Sequence, residues 1–428
     1  MSISPSLKFY SLAIMTSIIL IACALESTKK SNGSVNREFD KIYYPTYFGN
    51  GLNGYLNLKT KKMAISDLTW DELGFFSDGL ASYSQNGKFG YIDYLGKTII
   101  SNQYKFAGEF QRGAAVVSED GEKFYLIDRN NHILSGPFDK INDDFEGKRS
   151  FLLGNKIGFI DSLGKIVCNP RFPSTYQSSL IFNEGIFIYI KKRRDKDEKY
   201  NSRSGSFKNT DYCDDVTYEF YDTTFNLIHS FDVNDYCYCD ETEIVSSGGL
   251  TMIPYDFDQF KLVDFKGTSI VSKSLESYAN YEGECFSPHT IYKTIFPYRS
   301  GDLHGYMKTN GQVLVSPEYF MAYSFQEDVA VILKEVHGFP MLNILNIAGN
   351  EILSEDLPIC LMGSCDSHDQ VPLEEYGWYI NCCDSEEFYF RNGILKVELY
   401  SPSLKNTSKS ESVLINTKGE IIHRIPKN

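Results

Sequence analysis

Two adjacent apolar residues, a short polar turn and a second apolar pair recur along most of this chain. The leading pairs are Tyr55-Leu56, Tyr91-Ile92, Leu126-Ile127, Phe159-Ile160, Phe220-Tyr221, Leu262-Val263, Tyr306-Met307, Ile344-Leu345 and Leu414-Ile415. Trailing pairs such as Ile99-Ile100, Ile133-Leu134, Ile166-Val167, Leu227-Ile228 and Leu314-Val315 follow a few residues later. The turns between them mostly open with Asp or Asn and close with Gly, as in Asp93–Gly96, Asp161–Gly164, Asn346–Gly349 and Asn416–Gly419. A carboxylate or amide at the first turn position accepts backbone N–H groups two or three residues on, and Gly at the fourth tolerates positive φ. The unit therefore predicts a hairpin built on a type I turn with a bulge. An apolar pair puts one residue on each face of its strand, so both faces of the sheets are expected to be covered. The same acids could form a metal-binding ladder, but recurrence at one turn position favours the structural role.

The first four turns begin at residues 57, 93, 128 and 161, spacings of 36, 35 and 33. Such a period marks a repeat architecture. The stretch from Gly87 to Gly113, GKFGYIDYLGKTIISNQYKFAGEFQRG, closely resembles the WG-containing (KWG) repeat family of bacterial proteins. NKIGFIDSLGKIVCNPRF (155–172) and LHGYMKTNGQVLVSPEYFMAYSF (303–325) resemble it too. Phe89, Ile157 and His304 stand where the family has Trp, and Phe76–Gly79, Phe110–Gly113 and Phe182–Gly185 supply its Phe-x-x-Gly element. The resemblance implies a β-repeat scaffold in exported or surface proteins, without an assigned activity.

About 35 residues hold roughly three strands of ~5 residues plus turns, too little to bury both faces of one unit. The expected fold is all-β: an array of about eight to nine short β-meander repeats, either propeller-like or a curved solenoid. Closure is favoured because it would hide the end edges. Regular repeats are expected over 48–190, a charged polar insertion over 191–210, and degenerate repeats over 211–428 with a Cys-rich insertion at 358–387.

The first residues, MSISPSLKFYSLAIMTSIILIAC, read as a lipoprotein signal peptide over 1–22: Lys8, an apolar run too short to span a bilayer, then Leu20 to Cys23 resembling a lipobox. The resemblance implies a lipidated Cys23, a flexible tether over 23–47, and anchoring to the bacterial envelope. Ala24 mildly favours the outer membrane over the inner. A formal net charge of -14 argues against nucleic acid or an anionic surface as partner.

Composition and motifs offer little chemistry. Gly49-Asn-Gly-Leu-Asn-Gly54 matches a dinucleotide fingerprint by letter, but a strand and turn follow it rather than a helix. The seven His are scattered, so no metal or cofactor is expected, and His304 reads as packing in the repeat's aromatic slot. Nine cysteines remain besides Cys23. Cys213, Cys237, Cys239 and Cys285 form one group, and Cys360, Cys365, Cys382 and Cys383 another. Their spacing lacks zinc-knuckle form, so disulfides are favoured in an exported chain. Cys168 reads as a buried thiol.

Two functional readings follow. The first is a non-enzymatic envelope lipoprotein whose loops bind a protein or glycan, with Tyr376, Trp378 and Tyr379 as candidate contacts. The second is a carbohydrate-active or other hydrolase on a propeller-like scaffold, using paired carboxylates at a cleft.

Overall fold

A computed structural model describes residues 40–426, apart from 50, 68, 175–179, 195–212, 238–245, 248, 257–258, 266–274, 277–290, 360–387 and 401–409. Every element among the described residues is a β-strand. They pair antiparallel into eight sheets, seven of three or four strands and one of seven strands that serves as two units. The described residues thus make nine consecutive blades: 43–67, 72–104, 106–138, 140–173, 186–237, 246–276, 295–319, 321–358 and 394–424. Strands follow chain order within each blade.

The apolar core is divided among the blade junctions. Tyr55 of blade 1 packs with Tyr83 and Ile92 of blade 2, and Tyr91 of blade 2 packs with Phe110 and Val117 at blade 3. The same pattern continues through Phe151 with Val116, Phe159 with Phe187, Val263 with Tyr218, Tyr306 with Phe325, and Val397 with Leu342. A further cluster joins Ile394 and Leu414 of blade 9 to Tyr44 and Leu56 of blade 1. The ring is closed. Of the two expected arrangements the propeller-like one forms, because each blade face must find a neighbour and the first and last cover each other.

The predicted hairpins are present. Asp93 Oδ1 accepts the N–H groups of Leu95 (2.9 Å) and Lys97 (3.0 Å), and Gly96 takes φ +76°. Asp161, Asp222, Asn346 and Asn416 each receive the same two bonds, from the second and fourth residues beyond them. These side chains are structural.

Burial follows the expectation on the third strands and departs from it on the outer ones. Tyr91 and Ile92 are both fully buried, as are Leu126 with Ile127 and Phe159 with Ile160. In the outer pairs, by contrast, Ile99 is 41% and Ile133 64% exposed, while Ile166, Val167, Leu227 and Ile228 also face solvent. An outer strand has a neighbour on its inner edge, and the next blade meets it through its second strand, as Lys148–Leu153 meets Ile133–Phe138.

Boundaries shift as well. Tyr43–Tyr47, expected in the tether, is the first strand of blade 1. Lys191–Arg194, expected in a loop, belongs to the strand Ile186–Arg194, where Lys191 meets Glu219 (3.2 Å) and Arg193 meets Asp232 (3.1 Å). Cross-strand ion pairs there let four consecutive basic residues continue a strand.

The Gly of the repeated dipeptide has a steric reason. The outer strand bulges opposite it, with one register shift across Gly90, Gly158 and Gly305 and a second just beyond the aromatic residue that follows each. A Cβ on Gly90 would lie 2.5 Å from the Ile100 carbonyl oxygen, and one on Gly305 would lie 2.4 Å from that of Val315. Only Gly admits so close a backbone approach.

Candidate axial binding site

The Phe-x-x-Gly elements form tight turns just before the strands that begin at Leu80, Ala114 and Ile186. In 77–80, Ser77 and Leu80 exchange backbone bonds (2.9 and 3.1 Å), and the two residues between them, Asp78 and Gly79, both have positive φ (49° and 82°). Arg112-Gly113, Glu146-Gly147, Glu184-Gly185 and Asn392-Gly393 repeat that geometry. It is the type I′ hairpin, which suits strand twist and tolerates a polar residue before Gly.

These turns are linked blade to blade. Gly79 N–H donates to Asp40 (3.1 Å), Gly113 N–H to Asp78 (2.8 Å), Gly185 N–H to Glu146 (2.8 Å) and Gly249 N–H to Glu184 (2.5 Å). Arg112 pairs with Asp144 at 2.9 Å, and Lys293 with Asp328. Gly393 N–H donates to Glu327 (2.5 Å), and Asn392 Nδ2 reaches the Asp40 carbonyl (3.5 Å), completing the circuit from blade 9 to blade 1. Eight of the nine junctions carry such a link among the described residues.

The turns lie at the ring's axis. Arg391, in the turn of blade 9, pairs with Glu109 of blade 3, passing over blades 1 and 2. Its guanidinium also sits 3.8 Å above the Phe75 ring, which meets Tyr44 edge-on at 5.2 Å. Burial, reinforced by nearby Tyr389, pushes the Tyr44 hydroxyl up to about 12, so it stays protonated. Tyr389 is exposed beside this group. The arrangement offers a half-buried planar cation, stacked on one ring and held by one carboxylate, with a second aromatic open to solvent. Such a surface suits aromatic and carboxylate groups.

Beneath the turns, Arg149 is fully buried. Its guanidinium donates to the Gln111 side chain (3.3 Å) and to the carbonyls of Gln111 (3.2 Å), Ala114 (3.2 Å) and Asn142 (3.4 Å), tying blade 4 to blade 3. Burial lowers its pKa, opposed by Asp144, Asp143 and Asp78. Neither Arg149 nor Arg391 stood out in the sequence, because Arg149 follows Lys148 within an ordinary strand and Arg391 is a single basic residue before one.

The expected site residues divide sharply. Tyr376, Trp378 and Tyr379 lie outside the described residues, as do Cys23, Cys239, Cys285, Cys360, Cys365, Cys382 and Cys383. The ends of their segment are described. It departs after Ile359, which bridges to Leu399, and returns at Phe388 before the 391–394 turn. The two described ends of the segment 360–387 therefore both lie at blade 9, the second of them three residues before Arg391. Cys213 and Cys237 stand opposite each other in the strand register of blade 5. Cys168 is a buried thiol whose pKa burial raises. His304 is buried, its Nδ1–H donating to the Phe320 carbonyl (2.8 Å). Among the described residues, no group of His, Cys, Asp and Glu could hold a metal ion. Gly49–Gly54 ends in the second strand of blade 1, not in a helix.

A closed ring of antiparallel blades with axial turns defines a β-propeller-type repeat protein. Within it, the WG containing repeat is matched at residues 54–89, 89–122 and 305–335. No curated protein matches the sequence. Solved structures similar to it include BamB from Moraxella catarrhalis, at 10% identity over 71% of this chain and 88% of that one, TM-score 0.36. An acylaminoacyl peptidase from Pyrococcus horikoshii is similar at 10% identity and TM-score 0.33, covering 90% of this chain, which spans about half (53%) of the peptidase chain. A quinonprotein alcohol dehydrogenase-like protein from Bacteroides thetaiotaomicron is similar at 12% identity over 90% and 76%, TM-score 0.32.

Proposed function

We propose that this protein is a lipid-anchored envelope scaffold that binds a macromolecular partner at the axial end of its ring. The observation that carries this reading is where the ends of segment 360–387 lie. The chain leaves after Ile359, which bridges to Leu399 of blade 9, and returns at Phe388, close to Tyr389, Arg391 and Phe75. Irregular segments set on a rigid scaffold are where binding concentrates, and this one carries Trp378 between Tyr376 and Tyr379. A protein or glycan surface offering aromatic or carboxylate groups fits the neighbouring cation and rings.

The repeat residues are otherwise occupied in holding the blades together. A hydrolytic reading needs two free carboxylates facing one cleft, whereas Asp78, Glu146, Glu184 and Glu327 each accept a backbone N–H from the next turn. Among the described residues no helix is long and apolar enough to cross a membrane. Attachment is assigned to lipid on Cys23 from the lipobox-like Leu20–Cys23, with the outer membrane favoured by Ala24. A tether from Cys23 would join the ring at Asp40, which is bound to Gly79 and to the Tyr94 hydroxyl at the axial end.

The test compares cross-linked capture from envelope extracts by wild-type protein and by Trp378→Ala. Loss of the captured species at unchanged melting temperature is expected, and full capture overturns the binding assignment. Cys23→Ala should abolish palmitate labelling and release the protein from membranes; retained labelling overturns the anchor.

A further inference from the structure

The hairpin of blade 5 outgrows those of the other blades. Its last two strands, Cys213–Asp222 and Leu227–Cys237, have ten and eleven residues, against six and seven in Lys88–Asp93 and Thr98–Tyr104 of blade 2. The added length ends in a cysteine on each strand, and the register sets Cys213 directly opposite Cys237, with Asp214 opposite Tyr236. Directly opposed residues of an antiparallel pair have Cα atoms about 4.5 or 5.5 Å apart. Either spacing falls within the roughly 4.4–6.8 Å that a disulfide spans.

The same end of the blade lacks the short connection found elsewhere. In blade 2 the second and third strands are joined by Asn86 and Gly87, both with positive φ, which hold that end shut. In blade 5 the chain between Arg194 and Cys213 runs through 195–212 instead. No tight turn gathers the strands at that end, and a covalent link between the second and third strands would tie those two together there.

We propose that Cys213 and Cys237 form a disulfide that closes the open end of blade 5. Four cysteines at 213, 237, 239 and 285 allow three pairings, and the strand register selects this one, leaving Cys239 for Cys285. The bond forms by exchange with an incoming disulfide, that of an oxidised dithiol protein or of glutathione disulfide. Each cysteine gives up one proton and one electron, and the donor leaves as two thiols. Its presence in the cell rests on the envelope location proposed above, since such bonds persist in oxidising compartments.

The test uses full-length protein, purified from cells, alkylated without reductant and digested with trypsin and a Glu-specific protease. Trypsin leaves 209–261 whole, because no Lys or Arg lies between 209 and 260, and cleavage after Glu219 then separates Cys213 from Cys237. The expected product is 209–219 linked to the fragment holding Cys237 and Cys239, which is itself joined through Cys239 to the peptide of Cys285. That link should survive Cys239→Ser and vanish in Cys237→Ser, with Cys213 becoming alkylated. A link lost in Cys239→Ser and kept in Cys237→Ser overturns the pairing. So does a Cys213 that stays alkylatable after reduced protein is equilibrated with glutathione disulfide. A bond that forms in that buffer but is absent from cells upholds the pairing and counts against the envelope location.

Discussion

At the junction of blades 2 and 3, Tyr91 sends its hydroxyl to the Gly108 carbonyl (2.8 Å) and packs its ring on Phe110 at 4.8 Å. Tyr55 does the same at the first junction, toward Gly74 and Phe76, and Tyr306 toward Tyr323 and Phe325. The junction of blades 4 and 5 has Phe159 in that place. It makes no hydroxyl bond, and instead stands among Phe172, Phe182, Phe187 and Phe225, at 5.0 to 6.3 Å. Burial drives the Tyr91 pKa upward, so its hydroxyl is a permanent donor that satisfies a carbonyl of the next blade. The two junctions show that this position must supply a ring but need not supply a hydrogen bond. Where the polar link is missing, aromatic packing takes its place.

That contrast can be broken at its shared feature first. Gly90→Ala and Gly158→Ala should each cost about 3 kcal/mol, since the new Cβ meets outer-strand backbone at 2.5 Å and 2.8 Å in regions without room to shift. Gly87→Ala, whose Cβ would meet nothing within 4 Å, should lose only about 1 kcal/mol to its positive φ. Denaturant unfolding of the three variants checks this. Equal effects at all three sites would remove the steric account of the dipeptide.

Blade 7 sharpens it through His304, which burial holds down at about 4 although the packing Tyr306 beside it matches blade 2. Between pH 6.5 and 4 the unfolded chain takes up this proton and the folded one does not. Stability should therefore fall by about 3 kcal/mol as pH drops through that window, and be constant above it for this group. His304→Phe should flatten the pH dependence of the melting temperature between 4 and 6.5. An unchanged slope would dismiss the assignment.

Tyr91→Phe should cost about 1–2 kcal/mol by leaving the Gly108 carbonyl without its donor. Phe159→Tyr should gain nothing, because it would place a hydroxyl in an aromatic cluster. If the two substitutions proved equally neutral, the hydroxyl would have no share in joining the blades. The smallest expected effect is at the exposed hairpins. Asp93→Ala and Asp161→Ala should each lower stability by about 1 kcal/mol through the loss of two backbone bonds, by analogy with helix caps. Partner capture should persist wherever these variants remain folded.

The hairpins and their turn chemistry were legible in the chain because each depends on residues within about ten positions of one another, and the repeat period because those local units recur every 33 to 36 residues. Asp93 to Gly96 dictates its own turn whatever surrounds it, and Tyr91-Ile92 requires cover on both faces wherever that cover comes from. The closing of the ring was not legible to the same degree. It depends on Ile394 and Leu414 meeting Tyr44 and Leu56, more than 300 residues apart, and no local pattern encodes that distance. The same holds for the axial group. Arg391 is unremarkable beside Asn392 and Gly393 until nine blades have turned it toward Glu109 and Phe75. Sequence by itself determined the strands, the turns and the need for neighbours. Tertiary structure decided which neighbours, since burial of both faces can be met by many partners and only the geometry of a closed ring selects one set.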